Sequence, residues 1–132
     1  MRKAMTVLAL AMAAGTASAD TAGVNVYGNG TEFWNNYWTL GYYFTPNTNI
    51  TLTQLGSWDS YGDGFVSGSQ EAGLWDVASG TLLAYARISN GSSLDGGFRW
   101  EPVSPVALTP GMTYVVGSTN HDDTYHYGDP TA

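Results

Sequence analysis

The chain has no cysteine among its 132 residues. That excludes disulfide staples, thiolate nucleophiles and cysteine-ligated zinc. Basic residues are almost as scarce: Arg2, Lys3, Arg87 and Arg99 face eleven acidic groups, giving a formal charge of −7. A surface so acidic repels phosphate backbones and anionic lipid headgroups, so nucleic-acid binding is not expected. Long hydrophobic runs are missing as well. The longest apolar stretch, Val7 to Ala14, falls far short of the ~20 residues that span a bilayer. The only histidines are His121 and His126, and the only glutamates are Glu32, Glu71 and Glu101. There is no Gly-x-Ser-x-Gly elbow, no phosphate-binding glycine loop and no His-Glu-x-x-His. No catalytic motif is present, and no enzyme activity is expected.

The N-terminus reads as an export signal. Arg2 and Lys3 provide a positive start, the apolar run follows, and Ala17-Ser18-Ala19 is a small-x-small cleavage site before Asp20. Residues 1–19 are therefore expected to be removed on export, leaving residues 20–132 as one secreted or cell-surface domain with no membrane insertion. With the signal gone, only Arg87 and Arg99 remain to balance the acids. A domain of this size can bury a core without staples.

Glycine-marked turns and β-type runs alternate through the rest of the chain. Ala22 to Tyr27 reads as a first strand and Phe33 to Phe44 as a long aromatic one. Ile50, Leu52 and Leu55 switch from two-residue to three-residue spacing, which predicts a bulge near Thr53 or Gln54. Residues 59–70 form a polar, glycine-rich loop. Ala72 to Val77 and Thr81 to Ile88 flank a hairpin turn at Ala78-Ser79-Gly80. Residues 89–97 read as a further loop. Phe98, Trp100 and Val103 alternate on the next strand, so Arg99 between them is expected to point outward. Thr109-Pro110-Gly111 is a tight turn that demands a positive φ at the glycine. This pattern predicts an all-β fold: a single antiparallel β-sandwich, jelly-roll or immunoglobulin-like, of about seven to nine strands.

Several ordered blocks carry a resemblance: G-Y-Y-F-T-P, I-T-L-T-Q-L-G-x-x-D, the G-D-G loop, G-L-W-D, S-G-T-L-L-A, G-G-F-R-W and L-T-P-G-M-T-Y-V-V-G. Over residues 39–118 the chain resembles a β-sandwich domain of unknown function that recurs in secreted bacterial proteins. Many of those carry the exosortase-type PEP-CTERM sorting tail. Gln70-Glu71 stands where relatives often have His-Gln, and the Pro-Glu-Pro motif of the sorting tail does not occur after Gly128. The resemblance implies a bacterial, exported sandwich and brings no activity with it.

Two places could carry chemistry. All five tryptophans, nine tyrosines and four phenylalanines lie beyond the signal, and they are densest between Phe33 and Phe44. If that run is one strand, Trp34, Trp38, Leu40, Tyr42 and Phe44 share one face, and Phe33, Tyr37, Thr39 and Tyr43 the other. One face must be core. The other would set aromatic rings beside Asn35 and Asn36, the chemistry of a sugar-binding platform. Its candidate residues are Phe33, Trp34, Asn35, Asn36, Tyr37, Trp38 and Tyr43, against the simpler reading that both faces are packed. Trp58, Trp75 and Trp100 are expected in the core. The second place is the acidic loop, where Asp59 and Asp63 could hold calcium with backbone carbonyls. The simpler reading is that these carboxylates accept backbone hydrogen bonds and shape the turn. No other cofactor is implied.

The expected function is a non-catalytic extracellular module that binds carbohydrate or matrix polysaccharide. The alternative is a structural or adhesive domain that contacts a surface protein, for instance through edge strands. A polysaccharide-active hydrolase comes third.

Overall fold

A computed structural model of the chain describes residues 31–34, 37–121 and 123–127, with side-chain surroundings for 37–121 and 123. The strands are β1 (Thr31–Trp34), β2 (Tyr37–Phe44), β3 (Ile50–Trp58), β4 (Ser69–Asp76), β5 (Leu82–Ser89), β6 (Ser93–Asp95), β7 (Phe98–Leu108), β8 (Tyr114–His121) and β9 (Thr124–Tyr127). Seven of them make a β-sandwich of two antiparallel sheets, ordered β2-β8-β4-β5 and β3-β7-β6, while β1 and β9 pair separately. The chain crosses between the sheets after β2, β3, β5 and β7. The hairpins β4-β5 and β6-β7 stay within one sheet.

Alternation drives the packing. In β5, Ala84, Ala86 and Ile88 are buried while Tyr85 and Arg87 are exposed, the signature of a sheet with one dry face and one wet face. On the facing sheet Ile50, Leu52 and Leu55 are buried. The switch in their spacing coincides with a register shift between Leu52 and Gln54, as the sequence led one to expect. Across the layers Ser57 donates to the Gln70 amide oxygen and lies 2.7 Å from Ser118 Oγ. This polar link is closed within the core and leaves neither Ser57 nor Gln70 without a partner.

The turns follow local chemistry. Asp76 caps the β4-β5 hairpin, its Oδ1 accepting from the amides of Ala78 and Ser79, and Gly80 closes it with a φ of 68°. Gly111 adopts φ 82°, and the Met112 amide bonds back to Thr109, which matches the expected turn.

Three expectations are corrected. The aromatic run is two strands: β1 pairs with β9 and β2 with β8. Residues 93–95 within the expected loop pair with β7 as β6, because three residues suffice to add a short edge strand. Arg99 points inward. It shares a face of β7 with Glu101, in register with Ser57 and Leu55, and only 12% of its side chain is exposed. Leu55, Gly56 and Ser57 are all buried, so both faces of the sheet are covered here and alternation no longer separates wet from dry. On the other face Trp58 meets Phe98 edge-on at 5.2 Å, and Phe98 meets Trp100 at 5.3 Å. The strand expected at Ala22 to Tyr27 lies outside the described residues.

Candidate functional site: the outer face of the four-stranded sheet

Ala72 and Leu74 of β4 and Tyr114 and Val116 of β8 are buried against the other sheet. Their neighbours in sequence therefore project from the opposite, outer face. The strand register arranges that face in rows. Tyr37 lies opposite His121; Thr39 opposite Thr119, which is followed by Glu71 and Arg87; Gly41 opposite Gly117, then Gly73 and Tyr85; Tyr43 opposite Val115, then Trp75 and Leu82.

Trp75 is the centre of the face. Its indole lies back along its own strand over Gly73, where a Cβ would stand 2.5 Å from the ring. The ring is half-buried and presents an aromatic surface parallel to the sheet. This corrects the expectation that Trp75 is core. Trp100 is buried as expected, at 4% exposure, and Trp58 is partly buried beside it. The sequence held no signal for this, because Gly-Leu-Trp-Asp takes a face only once the fold buries Leu74 and so turns Trp75 outward.

Around the indole stand exposed rings and polar groups. Tyr43 is 70% exposed and Tyr85 52%. Tyr85 donates from its hydroxyl to Glu71 Oε1 at 2.9 Å, and this bond holds its phenol above the usual tyrosine range. Thr119 Oγ1 accepts from the Glu71 amide at 2.8 Å. Arg87 donates from Nε to Ser69 Oγ at 3.0 Å. At the end of the face, the rings of Tyr37 and His121 lie 5.4 Å apart. Rings with hydroxyls, one carboxylate and one guanidinium make a surface that can cover apolar C–H groups while bonding hydroxyls.

The expected platform residues are divided by this geometry. Tyr37 and Tyr43 stand on the outer face. Trp38, 61% exposed, has the strand parity of Leu40, Tyr42 and Phe44 and so belongs to the other face of β2. Phe33 and Trp34 lie on β1, paired with β9 rather than with the four-stranded sheet; their side chains, like Asn35 and Asn36, lie outside the described residues. The residues that reading the sequence missed are Trp75, Tyr85, Glu71 and the glycines of the third row. They come from four strands, β2, β4, β5 and β8, of which β4 and β5 alone are consecutive in the chain.

The acidic loop has a different organisation. Asp59 is 1% exposed, and its Oδ2 accepts from Arg99 Nε at 2.5 Å. Both of its oxygens also face the Gly64 amide, at 3.1 and 3.2 Å. Arg99 continues to the carbonyls of Asn90, Ser92 and Gly62, and Asn90 Oδ1 accepts from the Phe65 amide at 2.6 Å. Asp63 is exposed. A calcium ion at Asp59 would have to compete with Arg99, and among the described residues no group of three or more histidine or acidic side chains could hold a metal. Asp59 serves as the anchor of the loop, holding a backbone in which Tyr61, Gly62 and Gly64 all have positive φ.

No curated protein and no solved structure matches the chain. The family model for the domain of unknown function DUF4082 matches residues 29–131, a span that takes in both sheets, the outer face and the Asp59 loop. The chain belongs to the DUF4082 family.

Proposed function

We propose that this protein is an exported, non-catalytic extracellular or cell-surface module that holds polysaccharide on the outer face of its four-stranded sheet. The observation that carries the reading is the indole of Trp75 laid over Gly73, with Tyr43 in its row and the Glu71–Tyr85 pair beside it. A half-exposed tryptophan over a glycine contributes little to a core. It offers instead a flat apolar surface on a rigid strand, the arrangement that stacks on the C–H face of a pyranose. Export is supported by the Arg2-Lys3, apolar and Ala17-Ser18-Ala19 sequence at the N-terminus.

A protein-contact reading rests on a separate observation. Strand β2 is an edge of its sheet, and Tyr37, Trp38 and Tyr43 on it are all strongly exposed, which suits docking of another strand or an aromatic-binding surface. A hydrolytic reading would need two carboxylates across a cleft, and of the outer-face residues described, Glu71 is the one carboxylate.

A glycan-array screen of the purified protein beside Trp75→Ala and Trp38→Ala separates these readings. Binding abolished in Trp75→Ala and kept in Trp38→Ala is the expected result. Absence of binding to every glycan would transfer the assignment to protein contact.

A further inference from the structure

The sequence holds two Asn-Gly pairs, Asn29-Gly30 and Asn90-Gly91, and the second is the latch of the loop of residues 59–68. Asparagine is thermolabile, most of all before glycine, where no side chain hinders the next backbone nitrogen from reaching the asparagine Cγ. Asn90 and Gly91 occupy the turn between β5 and β6, closed by the Ser92 amide on the Ser89 carbonyl at 2.9 Å. Both are exposed, and a Cβ on Gly91 would meet only Ser89 Oγ, at 3.6 Å. The turn itself therefore leaves the reaction open. The loop closes it. Asn90 Oδ1 accepts from the Phe65 amide at 2.6 Å, and its Nδ2 donates to the Phe65 carbonyl at 3.3 Å. A Cβ on Gly64 would stand 3.0 Å from Asn90 Cγ, so the loop backbone lies against the carbon that would react. The Gly91 N–H is meanwhile turned onto Ser89 Oγ at 3.2 Å.

We propose that Asn90 is a site of spontaneous deamidation gated by the 59–68 loop, and that its conversion releases the loop for good. When the loop lifts, the Asn90 side chain swings free and the Gly91 nitrogen attacks Cγ. The new Cγ–N bond closes a succinimide; the Cγ–Nδ2 bond breaks, and the Gly91 amide proton leaves with that nitrogen as ammonia. Water then opens the ring, cleaving one of its two C–N bonds to give aspartate or isoaspartate at position 90. Either product lacks the Nδ2 donor and sets a carboxylate against the Phe65 carbonyl, where an unmade bond becomes a repulsion. Isoaspartate also adds a methylene to the main chain. That displaces the Asn90 N–H from the Gly68 carbonyl, 3.1 Å away, and the Asn90 carbonyl from Arg99 Nη1, 2.8 Å away. The enclosure of the Arg99–Asp59 pair is lost with them. Cyclisation is slow beside loop motion, so its rate follows the population of the open loop. The proposal is independent of polysaccharide binding.

The test follows position 90 by peptide mapping and mass spectrometry, which resolve it from Asn29, in samples held at mildly alkaline pH. Native wild type, wild type unfolded in guanidinium and native Arg99→Lys are compared, with Asn90→Asp as a ready-made copy of one product. Conversion should be at least tenfold slower in native than in unfolded wild type, and Arg99→Lys, whose loop is less firmly held, should lie between. The converted protein, separated by its added charge on ion exchange, should melt below wild type, as should Asn90→Asp. Chymotrypsin should cut both faster than wild type after Tyr61 or Phe65. No conversion in guanidinium would overturn the site. Equal rates in native and unfolded protein, or a wild-type rate in Arg99→Lys, would overturn the gating. Wild-type melting and proteolysis of the converted protein would overturn the release of the loop.

Discussion

The indole of Trp75 lies over Gly73 so closely that a Cβ on the glycine would stand 2.5 Å from Cη2 and 2.9 Å from Cζ2 and Cζ3. The contacting atoms are the far end of the side chain, so an added methyl group displaces the ring rather than the strand. Gly73→Ala is expected to cost about 1–3 kcal/mol, as for other overpacked sites, and to weaken polysaccharide binding as Trp75→Ala does. Urea unfolding and affinity electrophoresis on the same preparations check both. Full binding by Gly73→Ala would detach the ring from the ligand.

Arg99 and Asp59 form a buried pair whose partners hold the loop of residues 59–68. Removing the arginine leaves a buried carboxylate facing the Gly64 amide without its counter-charge. Arg99→Met should destabilise by about 3–5 kcal/mol, the range for a broken buried pair. Arg99→Lys should recover only part of that, since a lysine cannot reach Asp59 and three carbonyls from one planar fork. In the Arg99→Met, Asp59→Asn double variant the loss should be smaller than the sum of the singles. An additive result in a double-mutant cycle would contradict the pairing.

Gly111 has φ 82° and open space where a Cβ would stand, so an alanine there tests backbone conformation alone. Gly111→Ala should cost about 1–2 kcal/mol, the penalty for an L-residue in the left-handed region. Gly117→Ala, with no positive φ, should cost nothing comparable. Chemical denaturation of the two variants side by side makes the comparison, and equal losses would contradict it.

Two tyrosines set the alkaline behaviour. Burial pushes the Tyr42 phenol well above its ordinary value of 10.0, and among the described residues its hydroxyl has no hydrogen-bond partner. Tyr85 is raised chiefly by its hydrogen bond to Glu71. For both, the folded state holds the proton more tightly than the unfolded state. Their contribution is whole below pH 10 and is lost as pH rises through the higher folded values, at up to about 1.4 kcal/mol per pH unit for Tyr42. Tyr42→Phe should raise stability at pH 7 by about 1–3 kcal/mol by removing an unsatisfied hydroxyl, and should flatten the alkaline decline. Unfolding curves between pH 7 and 11 read both. Glu71→Gln should bring the Tyr85 titration down, observed by NMR at that ring.

Much of the sandwich was legible because its signals are local. The spacing of Ile50, Leu52 and Leu55 located a bulge, Ala78-Ser79-Gly80 located a hairpin turn, and Pro110-Gly111 located a positive φ. Each depends on contacts within a few residues. The candidate site was legible only in part. Tyr37 and Tyr43 were in view because they sit in a dense aromatic run. Trp75 was not, since its block Gly-Leu-Trp-Asp reads equally well with either face inward until a partner strand buries Leu74.

Arg99 shows the limit most plainly. Between Phe98 and Trp100 it had to face away from them, and so it does. The outward direction was wrong because the Asp59 loop and residues 89–92 come back to enclose it, and no sequence period records a segment that returns from elsewhere. The sequence by itself determined an all-β chain poor in positive charge, its turns and most of its strands, because those depend on residue type and near neighbours. The tertiary structure alone decided which of two alternating faces was wet, that Gly41, Gly117 and Gly73 fall in one row, and that Trp75 rather than the Phe33–Trp34 pair stands beside Tyr43. Register between strands far apart in sequence is set by the sum of all their pairings, and only the folded sheet expresses it.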